Sequence, residues 1–156
     1  MSLAISILIS WIVIIIASLI PKKLSEQDMV FLFFVNTIFE LSIFTILHIN
    51  LKWIHVSRTI ENSFADLSFR LVTDPLVFVM TANIMLYSWK IMKWIIVSAI
   101  ILSFLLLGQL LERLGVLSLE NWNNFFAIIL FTSYAAFSSG MAWFIVYVGK
   151  KDVRVK

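Results

Sequence analysis

The chain has 156 residues, of which 62% are apolar or aromatic and 13% charged, with a net charge of +3 and a mean hydropathy of +1.02. Soluble domains carry about 25% charged residues, and 12 basic with 9 acidic side chains are too few to cover the water-facing surface of a domain this long. Lipid is the expected solvent, which argues against a soluble enzyme. The small, dispersed charge argues against nucleic acid as a partner, and the absence of cysteine leaves no disulfide or thiolate metal site.

A bilayer core about 30 Å thick needs about 20 apolar residues at 1.5 Å each. The first such run is residues 3–20, closed by Pro21-Lys22-Lys23. No basic residue precedes it and no small-x-small cleavage site follows, so it reads as a retained helix and not a signal peptide. The second run, 29–49, follows Ser25 and Asp28, spaced as a capping box. Near its centre stands Glu40, with Asn36 one turn earlier on the same face.

Residues 51–73 are more polar. Trp53, Val56, Ile60, Phe64, Leu67 and Leu71 recur at steps of three and four, interleaved with charges of both signs. This predicts an amphipathic helix lying on the outer leaflet or folded back onto the bundle. Asp74-Pro75 then reads as an N-cap with proline at the first helical position, opening a short third span at 75–89. In antiparallel passage Asn83 falls at nearly the depth of Glu40. With every Lys and Arg assigned to a span end, Glu40 has no cationic neighbour. Desolvation then disfavours its charge and predicts a neutral carboxyl hydrogen-bonded to Asn36 or Asn83. A proton- or cation-carrying Glu40 is the alternative.

Lys90 and Lys93 mark an interfacial turn that contains neither Gly nor Pro; a re-entrant third segment is the alternative there. The fourth span, 94–111, ends at Glu112-Arg113 and Gly115. The fifth, 125–148, precedes a basic tail of Lys150, Lys151, Arg154 and Lys156. Within it Ala136 and Gly140 have small-xxx-small spacing, suited to packing inside the bundle or to dimerisation.

Five spans gather eight basic residues on one side: Lys22, Lys23, Lys90, Lys93 and the four of the tail. The other side receives four: Lys52, Arg58, Arg70 and Arg113. The positive-inside rule then puts the amino terminus outside and the carboxy terminus inside. The predicted fold is a single all-α membrane domain, a bundle of five transmembrane helices with an amphipathic outer helix at 51–73.

Catalytic templates are missing: there is no Gly-rich phosphate loop, H-E-x-x-H or G-x-S-x-G. His48, His55 and Glu61 make at most an incomplete metal site. No catalytic residue, metal or cofactor is expected.

The stretch Glu112-Arg113-Leu114-Gly115 … Asn121-Trp122-Asn123, with Asp74-Pro75 before it, resembles a family of small, largely uncharacterised integral membrane proteins of endospore-forming Firmicutes. The resemblance covers roughly residues 74–135. It implies a multi-pass protein of a Gram-positive plasma membrane, or of a sporulation membrane, without an established activity. It singles out Asp74, Glu112, Trp122 and Asn123, although Trp122 also suits an interfacial anchor and Glu112 a helix-end charge pair. The expected function is a non-enzymatic accessory or structural membrane subunit, whose partners are the lipid bilayer and a membrane protein or second copy. The alternatives are a transporter or channel subunit using Glu40, and, more remotely, a lipid-acting enzyme using His48, His55 or Glu112.

Overall fold

The computed structural model describes residues 1–120 and 122–153. Asn121, Arg154 and Lys156, which enter the readings above, lie outside the described residues, as do the side chains of Lys150 and Lys151. Among the described residues, five helices are long and apolar enough to cross a membrane: α1 (Ser2–Leu19), α2 (Glu26–Asn50), α3 (Ile60–Met85), α4 (Met92–Arg113) and α5, whose apolar part is Asn124–Gly149. Two short strands, β1 (Ile54–Val56) and β2 (Leu117–Leu119), pair antiparallel with His55 opposite Ser118. The ribbon they form joins the α2–α3 and α4–α5 connections at one end of the bundle. The α1–α2 and α3–α4 turns lie at the other, here called the hairpin end.

The elements begin and end for local reasons. Ser25 caps α2, its hydroxyl oxygen accepting from the Asp28 N–H at 3.1 Å, as the sequence predicts. At the end of α4, Gly115 adopts φ +68°, a conformation that costs a residue with a Cβ. Its N–H reaches the Glu112 carbonyl, and the Val116 N–H reaches that of Leu111. That pair of bonds is a Schellman stop. Asn123 caps α5 through a 3.0 Å bond from the Phe126 N–H. The Glu-x-x-Gly and Trp-Asn signals are thus helix punctuation around β2.

The third span departs from expectation. It begins at Ile60, and Asp74 and Pro75 lie inside it: Thr73 and Asp74 are both right-handed helical (φ −66°, ψ −54° and φ −63°, ψ −52°). Proline removes one donor and crowds the preceding turn. A π-helical turn at Phe69–Thr73, directly before it, widens the helix there and lets it continue. What reads as a helix start is an irregularity within a helix.

The amphipathic outer helix is corrected with it. Trp53 and Val56 belong to the ribbon region. Ile60, Phe64 and Leu67 of the apolar stripe are exposed on the bundle's outside, whereas Ala65, Asp66, Phe69 and Thr73 are buried. A stripe that would face the core in water faces outward here, the arrangement suited to a bundle whose surroundings are apolar and whose interior solvates polar side chains.

The same inversion shapes α1, whose buried residues are Ser2, Ser6 and Ser10. Ser6 and Ser10 donate to carbonyls four residues back, and Ser10 shares a 2.9 Å bond with Thr73. Small side chains and closed hydroxyl bonds let α1 lie close on α3. The buried residues of α5 include Ala135, Ser138 and Ala142, while Ala136 and Gly140 are exposed. Their small-xxx-small pair therefore does not pack within this bundle.

A carboxylate cavity as the candidate functional site

Glu40 does have a cation beside it. Arg70 Nη1 donates to Glu40 Oε1 at 2.7 Å, and Arg70 Nε donates to Asp66 Oδ2 at 2.8 Å. The guanidinium also lies 3.3 Å from the ring centre of Phe44, a stacking that suits arginine. Assigning Arg70 to a span end was the error, and it followed from starting the third span at Asp74. With α3 beginning at Ile60, Arg70 sits about ten residues, or ~15 Å, inside the helix, and Glu40 lies a similar depth from the ribbon end of α2. The π turn carries Arg70.

Neither expected partner of Glu40 bonds to it. The Asn36 amide donates to the Ser138 hydroxyl at 2.8 Å, and that hydroxyl donates to the Phe78 carbonyl at 2.9 Å, tying α2, α5 and α3 together. Asn83 stands close to the end of α3 and staples the hairpin end. Its Oδ1 accepts from the Lys23 and Leu24 N–H groups at 2.7 and 3.3 Å, and its amide donates to the Pro21 carbonyl at 2.8 Å. The Tyr87 hydroxyl donates to the same carbonyl. The Asn36–Glu40–Asn83 cluster does not exist as a unit.

Glu40, Asp66, Arg70 and Asp74 instead line one cavity of about 200 Å³ between the helices. Phe104 of α4 and Phe131 and Tyr134 of α5 form an aromatic wall, with Phe104 and Phe131 stacked at 4.8 Å. Toward the ribbon end the lining includes Glu112, Leu119, Trp122 and Asn123. Of the four residues marked by the resemblance, all lie on this one cavity. Glu40 is 2% exposed. Its Oε2 is the one buried side-chain polar atom among the described residues with no hydrogen-bond partner. Buried carboxylate oxygens left unpaired are costly, so this atom marks where a ligand or proton gains most.

The histidines form no comparable centre. The His48 ring donates to the Ile54 carbonyl at 2.6 Å and stacks on Phe44, and His55 lies 3.6 Å from Glu120. Glu61 pairs with the amino terminus. Among the described residues, no three His, Asp or Glu side chains converge closely enough to hold a metal ion.

Arg70 and Asp66 were not singled out by the sequence reading. One signal for them was present: Asp66, Arg70 and Asp74 recur every four residues, and in a helix that spacing aligns three charges on one face. Comparison with known proteins returns no matching family model, curated protein or solved structure.

Proposed function

We propose that this is a multi-pass membrane protein that binds a cation in its carboxylate cavity, as a small transporter or transport subunit and not as an enzyme. One observation carries the reading. Three clustered carboxylates, Glu40, Asp66 and Asp74, line one cavity with a single guanidinium and a fourth acid, Glu112, toward the ribbon end, and one of the Glu40 oxygens has no partner. Fully ionised, Glu40, Asp66, Asp74 and Arg70 leave an excess of two negative charges, which a low-dielectric site balances by taking up positive charge. Intramembrane ionisable groups that face a cavity ordinarily mark ion or substrate paths. Lys22, Lys23, Lys90 and Lys93 gather at the hairpin end, so the positive-inside rule turns that end to the cytoplasm and the ribbon to the outside of a plasma membrane.

Flux into reconstituted vesicles tests the reading. Wild-type protein should pass protons, sodium, potassium or an organic cation faster than protein-free vesicles, and Glu40→Gln should remove the difference. Equal flux in all four cases, with and without protein, overturns it.

A further inference from the structure

The cavity's walls narrow the class of cation. Divalent metal ions are ordinarily held by three to four tightly placed side chains or by clustered carboxylates, and no three His, Asp or Glu side chains converge closely enough for that among the described residues. At about 200 Å³ the space is far larger than the ~30 Å³ share of one water. Its lining pairs carboxylates with aromatic side chains, the combination that recognises organic ammonium groups through charge and ring faces together. Arg70 already shows the mode of binding: its cation is held by two carboxylates and laid on the face of Phe44. Phe104, Phe131 and Tyr134 also line the cavity, Phe104 stacked on Phe131 and Phe78, and Glu40 Oε2 is an unpartnered acceptor on a residue that is 2% exposed.

We infer that the cavity binds an organic ammonium cation, with Glu40 and Asp74 as its counter-charges and Phe104, Phe131 and Tyr134 as its walls. This rests on the cation-binding reading above and names the substrate class. A quaternary head fits this lining well, since it needs charge and apolar contact but no directed hydrogen bonds. The group can arrive on a free solute or on a phospholipid headgroup, and the chemistry recognised is the same.

The test is equilibrium binding of choline to the full-length protein in detergent, with 3,3-dimethyl-1-butanol as the neutral molecule of the same shape. Choline should bind saturably and the alcohol at least tenfold more weakly. Glu40→Gln should abolish binding. Phe131→Leu, which keeps every charge, should weaken choline at least fivefold and guards against a Glu40 variant that fails to fold. Competition by phosphatidylcholine but not phosphatidylglycerol assigns the headgroup as the source; no competition by either assigns a free solute. Equal binding of choline and the alcohol overturns the inference. Absence of choline binding alongside proton or inorganic-cation flux overturns it while leaving the cation-binding reading intact, and absence of both overturns the two together.

Discussion

The two halves of the bundle bury polar groups in opposite ways. At the hairpin end Asn83 uses both ends of its amide, and the backbone groups of Pro21, Lys23 and Leu24 close onto it. Around this staple the interior is apolar, with Leu24, Leu32, Val79, Ala82 and Ala142 buried together. Toward the ribbon end Arg70 is satisfied by two carboxylates, yet Glu40 keeps an empty oxygen beside an open cavity. Among the described residues, the buried side-chain polar atoms of the hairpin end all have partners, and the one that lacks a partner is Glu40 Oε2. The difference separates polar groups that tie helices together from a carboxylate with an open acceptor.

Arg70 gives the largest expected effect. Arg70→Ala leaves Glu40, Asp66 and Asp74 without their cation. Breaking a buried pair by removing one partner costs about 3–5 kcal/mol, so the variant should unfold at much lower denaturant in detergent titrations. A wild-type midpoint would show that these acids are not held ionised against it. The staple comes next. Asn83→Ala strands two N–H groups and weakens a carbonyl's bonding, at about 1–3 kcal/mol for a buried unpaired group, while cation binding by the folded protein stays at the wild-type level. A loss of binding in proportion to that of Glu40→Gln would erase the contrast between the two halves.

A smaller effect is expected at the ribbon. Gly115→Ala places a Cβ at φ +68°, costing about 1–2 kcal/mol although the space around it is open, and thermal unfolding reads it directly. Ala136→Leu should be the mildest. Its site on α5 is exposed, so monomer stability should shift by under about 0.5 kcal/mol. A change in oligomeric mass on the same substitution would show that this face meets another helix.

The helical class and four of the five spans were legible because lipid demands long apolar runs, and such runs are a one-dimensional property of the chain. Ser25, Gly115 and Asn123 were legible in part for a related reason: caps and stops are settled within a few residues. The segment from Ile60 to Thr73 was misread because the same periodicity fits a helix lying on a membrane and one whose polar face turns into a bundle. Which face is inside depends on what stands opposite, and no local pattern carries that. Asp74-Pro75 misled likewise, since a π turn can absorb a proline that sequence rules place at a helix start. The sequence by itself determined a helical chain with runs long and apolar enough to cross a membrane and an acid in the middle of one of them. Only the tertiary structure decided that Glu40 meets Arg70 and not an asparagine, because thirty positions along the chain separate the two, and only the packing of α2 against α3 brings them to one depth.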